Sequence, residues 1–221
     1  MNKEFIDFIS PNISERRFEL FKKVIKDRTR YMTVALEDIY QPHNASAVLR
    51  TCDCFGVQDV HIIENRNKYT LNPAVVVGAS KWLNLNKYNS QENNTLESIN
   101  TLKKAGYRII ATTPHTNDVD VHDFDVTKGK FALFFGSEQP GLTQLMLDNA
   151  DEFLKIPMYG FTESFNISVS ASIILHHLRL KMQTEKVNWQ LSEKENDEIL
   201  VQWLLKSVNN PENYLKMFKE L

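Results

Sequence analysis

Residues 131–142 read FALFFGSEQPGL and combine a short apolar run with a polar, glycine-containing turn. Five consecutive apolar residues bounded by a turn are typical of a strand buried on both faces, as in a parallel sheet. In the turn, Glu138 lies between Gly136 and Gly141, and glycine permits close approach of the backbone to a ligand or a left-handed conformation. An ordinary strand-to-helix turn explains this stretch equally well, so it favours an α/β fold without indicating a function.

Similar apolar runs occur on both sides of this stretch, at residues 33–36, 60–63, 107–111 and 153–156. Helical apolar spacing separates them near residues 45–55, 72–80, 95–105, 143–149 and 166–183. Strands that alternate with helices predict a mostly parallel sheet with helices on both faces. We therefore expect one α/β domain over residues 32–184.

The two ends of the chain have a different pattern. Residues 1–31 are expected to form one basic amphipathic helix, with Asn12 and Glu15 as a capping box. Residues 185–221 predict a helical extension, in which Ser192 and Glu195 form a capping box and a second short helix follows Pro211.

The charge composition excludes a uniformly basic nucleic-acid binder. The 221 residues contain 26 Lys and Arg against 28 Asp and Glu, a net charge of −2. The charge is nevertheless uneven, because residues 14–30 contain seven basic and three acidic residues, a local net charge of +4.

The compartment is expected to be the cytoplasm. We find no signal-peptide pattern at the N-terminus and no apolar run of the roughly 20 residues that span a bilayer. Cys52 and Cys54 are too closely spaced for most zinc sites, so we expect reduced thiols, no metal and no membrane partner.

Common α/β site motifs are missing from the sequence. No G-x-G-x-x-G follows the first strand, and neither G-x-x-x-x-G-K-[ST] nor G-x-S-x-G occurs. These absences weaken dinucleotide, nucleoside triphosphate and serine-hydrolase interpretations.

Two other segments begin where a strand should end, the place where ligands gather in open α/β sheets. Residues 36–51 contain Asn44, a candidate helix N-cap, and Arg50 six residues later. Residues 156–170 contain Ser164 and Asn166, either of which could cap the next helix. Taken singly, each segment is also consistent with an ordinary capped helix.

Together, the three segments have a specific order and spacing. They are Asn44 with Arg50, then Gly136-x-Glu138-x-x-Gly141-Leu142, then Ile156-Pro157-Met158-x-Gly160-x-x-x-Ser164-x-Asn166-x-Ser168. This set resembles motifs 1, 2 and 3 of the SpoU (TrmH) family of RNA ribose 2′-O-methyltransferases, in the SPOUT superfamily. The resemblance covers residues 15–184, and the flanking helices favour the subgroup that methylates guanosine 18 of tRNA.

The resemblance implies a deep trefoil knot in the C-terminal part of the domain, a homodimer, S-adenosylmethionine as cofactor and tRNA as partner. It implies that Arg50 is catalytic, that Asn44 supports it, that Glu138 holds its loop, and that Ser164 and Asn166 complete the site. The cofactor contacts that it implies are Thr112, Gly136, Ile156, Met158 and Phe165. The basic N-terminal segment would then contact RNA phosphates through Arg16, Arg17, Lys23, Arg28 and Arg30.

Alternatives remain open. The same chemistry on rRNA or on the tRNA wobble nucleotide shares these motifs, which indicate the reaction more firmly than the substrate. A catalytically silent RNA-binding module and an unrelated α/β enzyme are two further interpretations.

Overall fold

A computed structural model describes residues 2–76, 78–114 and 119–219 and divides the chain into two compact units. One unit comprises residues 30–189, and the other comprises residues 1–29 with 190–221. The helices are α1 (Asn2–Ile9), α2 (Glu15–Val24), α3 (Pro42–Cys54), α4 (Pro73–Val76), α5 (Asn94–Lys104), α6 (Gln144–Asp148), α7 (Ile167–Thr184), α8 (Glu193–Leu205) and α9 (Pro211–Lys219). The strands are β1 (Met32–Glu37), β2 (Asp59–Ile63), β3 (Asn84–Tyr88), β4 (Arg108–Thr112), β5 (Val119–Asp120), β6 (Phe131–Phe135) and β7 (Glu152–Lys155).

The unit of residues 30–189 is built on a seven-stranded sheet in the order β3-β2-β1-β6-β4-β7-β5. All six strand pairs are parallel. The predicted α/β fold with a mostly parallel sheet is therefore confirmed. The trefoil knot does not follow from the strand order and stays a prediction.

Both faces of the sheet are buried, which explains the continuous apolar run in β6. Phe131, Leu133 and Phe135 pack in one apolar cluster with residues of α3 and α7. Ala132 and Phe134 point to the other face and pack in a second cluster with residues of α5 and α6. Because successive side chains of a strand alternate between faces, only an uninterrupted apolar run fills both clusters.

The observed elements differ from the predicted ones in two places: at the edges of the sheet and in the segment between β2 and β3. Two strands were not predicted: β3, an edge strand with polar residues, and β5, a strand of two residues. The helix expected over residues 72–80 is only the four-residue α4 followed by a 3₁₀ turn, Ala79–Lys81. Gly78, with φ of 78°, precedes this turn, and Val77 lies outside the described residues.

The prediction of one N-terminal helix is wrong, because α1 and α2 are separate. Between them lies a 3₁₀ turn, Ser10–Asn12, in which Pro11 has no N–H to continue a helical hydrogen-bond ladder. The cap of α2 is Ser14, which accepts from Arg17 N, and not the expected Asn12.

The C-terminal predictions hold better. The capping box of Ser192 and Glu195 is confirmed at α8, and α9 begins at Pro211 as expected. The two ends of the chain pack together, since Phe21 and Trp203 meet at a ring-centroid distance of 5.5 Å and Phe5 and Phe218 meet at 5.0 Å.

Candidate functional site

Three loops converge at the carboxyl edge of the sheet, after β1, β6 and β7. The side chain of Asn44, in the first turn of α3, joins them: Nδ2 donates a hydrogen bond to Glu138 Oε1. Its Oδ1 accepts a hydrogen bond of 3.1 Å from Nδ2 of Asn166. Asn44 is buried, so both halves of its amide are paired where water would not replace the partners. The structure thus brings together one residue from each of the three segments.

The prediction that Asn44 caps α3 is wrong. The N-cap is Gln41, and Pro42 occupies the first helical turn, where its missing N–H costs nothing. This register places Asn44 inside the first turn, where its amide is free of a capping role and reaches Glu138 and Asn166. Gln41 Oε1 also accepts from Asn44 Nδ2, at 3.3 Å.

The prediction that Ser164 or Asn166 caps α7 is confirmed for Asn166. Its Oδ1 accepts from the backbone N of Ser168 at 2.9 Å and from the Ser168 hydroxyl at 2.7 Å. Because a backbone N–H can only donate, this contact fixes the orientation of the amide and directs Nδ2 toward Asn44. The cap of α7 and the bridge between loops are therefore the same side chain.

Arg50 lies on α3, six residues after Asn44 and about 9 Å farther along the helix axis, and it is exposed. The next residue, Thr51, shares a 3.1 Å hydrogen bond with Ser172 of α7. Ser172 in turn donates to the backbone oxygen of Ser168 at 2.8 Å. The helix under Arg50 is thus fixed against α7, while the guanidinium is accessible to a large ligand.

A cavity of about 650 Å³ opens beside this network. Its lining includes all five residues expected to contact the cofactor and three of the five expected catalytic residues: Thr112, Gly136, Ile156, Met158, Phe165, Glu138, Ser164 and Asn166. Among the described residues that line it, neither Asn44 nor Arg50 is found. Asn44 therefore contacts two lining residues, Glu138 and Asn166, without lining the cavity itself. Arg50 lies outside the cavity lining.

Gly136 is required by the path of the loop after β6. A Cβ there would overlap the carbonyl carbon of Gly141 and the amide nitrogen of Leu142, both backbone atoms. Gly141 itself has φ of 89°, a conformation that side chains rarely adopt. The close backbone approach expected at Gly136 is thus made by the loop to itself, and it shapes one wall of the cavity.

Glu37 is a structural part of the site to which the sequence analysis gave no role. This last residue of β1 is fully buried, and its carboxylate accepts from the backbone N and the hydroxyl of Thr143, both at 2.8 Å. A third hydrogen bond, of 2.6 Å, comes from the hydroxyl of Thr95. Glu37 holds one end of the loop 136–143 as Asn44 holds its middle through Glu138. A carboxylate at the end of an apolar strand was the available signal, since buried charges are rare unless paired.

The five basic residues expected to contact RNA have different environments. Arg16, Arg17 and Lys23 are exposed on α2. Arg28 is 2% exposed, and its guanidinium lies 5.3 Å from the centre of the Trp203 ring. Arg30 Nε donates to Asp59 Oδ2 at 2.9 Å. Arg28 and Arg30 thus make contacts within their own units, and the accessible subset is Arg16, Arg17 and Lys23.

None of the helices in the described part of the chain is long and apolar enough to cross a membrane.

The sequence and the fold both match known proteins. Residues 31–176 match the sequence model of the SpoU rRNA Methylase family. A protein of Borreliella burgdorferi named tRNA (guanosine(18)-2′-O)-methyltransferase is 40% identical over 205 residues, which cover 93% of this chain and 92% of that protein. An Aquifex aeolicus protein of the same name is 30% identical, over 89% of this chain and 92% of that one. The crystal structure of an A. aeolicus TrmH/SpoU tRNA modifying enzyme superposes with a TM-score of 0.77 at 28% identity, covering 89% and 98% of the two chains.

Proposed function

The chain belongs to the SpoU rRNA methylase family, and we propose that it transfers a methyl group from S-adenosylmethionine to the ribose 2′-hydroxyl of guanosine 18 in tRNA. One observation supports the substrate above all: relatives with that named activity match 93% and 89% of this chain. The geometry supports the reaction, because the network of Asn44, Glu138 and Asn166 borders a cavity with the lining expected for the cofactor.

The cavity fits a cofactor of this size. Its volume of about 650 Å³ lies in the range of small-molecule sites, roughly 300–1,000 Å³. Thr112, Gly136, Ile156, Met158 and Phe165 would hold the cofactor, in part through the backbone of the loop that folds back at Gly136. When bound, S-adenosylmethionine supplies an activated methyl group on a sulfonium, so the transfer needs no metal to activate the leaving group.

Arg50 is assigned to the ribose hydroxyl. A guanidinium group stays protonated at neutral pH, which makes an arginine a poor general base there. We therefore assign it a different role, in which the guanidinium contacts the 2′-oxygen and a tRNA phosphate and stabilises the charge that develops on the oxygen. The exposure of Arg50 agrees with a partner that approaches from solvent.

Ser164 is assigned as the relay that passes the proton of the 2′-hydroxyl to solvent water, since it lines the cavity and is also exposed. Asn44 and Glu138 then act by position: they keep the motif loops together so that hydroxyl and methyl donor meet in one orientation. Positioning of this kind can supply roughly 7–11 kcal/mol of barrier reduction at best.

We also propose a homodimer in the cytoplasm, where its tRNA substrate resides. Tyr159 and Phe161, in the loop after β7, are 95% and 109% exposed, so both rings are available to pack against a second copy of the chain. The proposed phosphate contacts of Arg16, Arg17 and Lys23 would be doubled by the dimer axis. Light scattering coupled to size exclusion tests the dimer, and a monomeric mass would contradict it.

The activity is tested with an unmodified tRNA transcript and methyl-labelled S-adenosylmethionine. We expect label to enter the transcript, and we expect none in a matched transcript with adenosine at position 18. Equal labelling of both transcripts would contradict the assignment to guanosine 18. No labelling, together with no cofactor binding in calorimetry, would indicate a silent RNA-binding module instead.

A further inference from the structure

Residues 64–72, here called the basic loop, follow β2 at the same edge of the sheet as the three site loops. They include two exposed cations, Arg66 and Lys68. The basic loop itself contains Arg66 and Lys68 against one acidic residue, Glu64, a local net charge of +1 in a chain whose total is −2. Exposed cations beside a site raise the association rate of an anionic partner.

The basic loop is held at its start by Asp38, the residue after β1. Asp38 is buried and has φ of 52°, an uncommon conformation for a residue with a side chain. Its Oδ1 accepts from the backbone N–H groups of Asn65, Arg66 and Asn67, at 2.7, 2.8 and 3.2 Å. This arrangement turns the backbone of Arg66 inward toward the carboxylate.

Two further sets of contacts fix the rest of the basic loop. The carboxylate of Glu64 accepts from the backbone N of Tyr69 at 2.8 Å, which closes the turn around Arg66 and Lys68. At the end of the loop, the backbone N of Asn72 donates to the hydroxyl of Ser46 at 2.8 Å. Because Asp38 and Ser46 both belong to the segment that contains Asn44, the basic loop is attached on either side of the site residue.

We propose that the basic loop is a second RNA contact, in which Arg66 and Lys68 bind backbone phosphates of the substrate next to the proposed methylation site. The proposal rests on the proposed function, since it identifies where the RNA of that reaction lies on the sheet unit. Because these hydrogen bonds hold the loop backbone before binding, contact with phosphate has to order only the two side chains and not the backbone that presents them.

The test is the affinity for an unmodified tRNA transcript at several salt concentrations. Arg66→Ala with Lys68→Ala should weaken binding about tenfold and reduce the slope of log affinity against log salt by about one to two, since each phosphate contact contributes roughly 0.7–0.9. A charge-preserving pair, Arg66→Lys with Lys68→Arg, should keep both quantities near those of the unsubstituted protein. Affinity for S-adenosylmethionine should stay the same in all variants.

A matched control removes the same charge at the opposite edge of the sheet. Lys104, at the end of α5, and Lys128, before β6, are exposed near the amino ends of β4 and β6. Lys104→Ala with Lys128→Ala should leave tRNA affinity and the salt slope unchanged. Equal values for the unsubstituted protein and the Arg66/Lys68 alanine pair would overturn the proposal, as would an equal loss in the control or charge-preserving pair. If the unsubstituted protein binds no tRNA, the proposed function itself fails and the proposal falls with it.

Discussion

Asn166 donates a 3.1 Å hydrogen bond to Asn44, although 122 residues separate them in the chain. The amide of Asn166 also caps α7, and the amide of Asn44 also donates to Glu138. A loop after β1, a loop after β6 and the start of α7 therefore have one shared hydrogen-bonded junction beside the cavity. We propose that this junction aligns a cofactor in the cavity with an RNA hydroxyl near Arg50.

Comparison of Asn166→Ala with Ser192→Ala separates this positioning role from helix capping. Loss of the cap should cost about 1 kcal/mol of stability, as should Ser192→Ala at the cap of α8. Only Asn166→Ala should also reduce methyl transfer, by about tenfold or more, because a misplaced site loses rate steeply. Thermal unfolding and single-turnover assays of the two variants make the comparison, and equal activities would contradict the junction's role.

Arg50 is tested by substitutions that keep or remove its charge. Arg50→Ala should lower kcat by about 100-fold, in line with loss of a group that stabilises developing charge. Arg50→Lys should lower it by at least about tenfold, since an ammonium has no planar fork to contact two oxygens at once. Affinity for S-adenosylmethionine should not change, because Arg50 lies outside the cavity lining. Near-normal turnover in Arg50→Lys would refute the two-oxygen contact.

Gly136 and Gly160 form a matched pair in the site loops. Gly136→Ala places a Cβ against the backbone of Gly141 and Leu142, which cannot yield without moving the loop. Gly160→Ala meets nothing within 4 Å. Calorimetry should show that cofactor affinity falls by about tenfold or more in the first variant and is unchanged in the second. Similar affinities in both variants would mean that the loop path does not shape the cofactor site.

The exposed cations of α2 should contribute to the affinity for tRNA and not to the affinity for S-adenosylmethionine. Reversing Arg16, Arg17 and Lys23 to Glu should weaken tRNA binding by about tenfold or more and leave S-adenosylmethionine binding intact. Arg28→Ala, in contrast, should mainly lower stability, because that side chain is buried against Trp203. Filter binding and thermal unfolding report the two effects. Unchanged tRNA affinity after the triple reversal would show that RNA binds elsewhere.

His61 should make stability depend on pH. Burial lowers the pKa of His61 from 6.5 to about 4, so between these values the unfolded chain binds more protons than the folded one. Stability should therefore fall as pH drops from 6.5 to about 4, by about 3 kcal/mol at most, and level off below. His61→Phe, which keeps an aromatic ring beside Tyr88, should flatten this part of the profile. Substitution of exposed His43 is the control, and an equal flattening there would argue against His61.

The sequence predicted the centre of the sheet well and its edges poorly, for a physical reason. Strands such as β6 are buried on both faces, so their apolar runs are continuous and easily read. Strand β3 has one neighbour in the sheet and the sequence NLNKY, whose polar residues suit an edge but also a loop. The break between α1 and α2 had a local signal in Pro11, and the amphipathic spacing on either side outweighed it in the prediction.

The members of the site were predictable from motif spacing, but their partners were not. Nothing local to Asn44 indicates that it pairs with residues 94 and 122 positions away in place of capping its own helix. The burial of Arg28 depends in the same way on Trp203, at the other end of the chain. Long-range pairs of this kind arise from tertiary packing, which periodicity and capping patterns do not describe.

We propose that this protein methylates one ribose oxygen in one nucleotide of tRNA. The most direct measurement is mass spectrometry of nuclease fragments and nucleosides from a tRNA transcript incubated with the enzyme and S-adenosylmethionine. We predict 2′-O-methylguanosine, with the added mass located at position 18. A methyl group on a base, or a methylated ribose at any other position, would contradict the account.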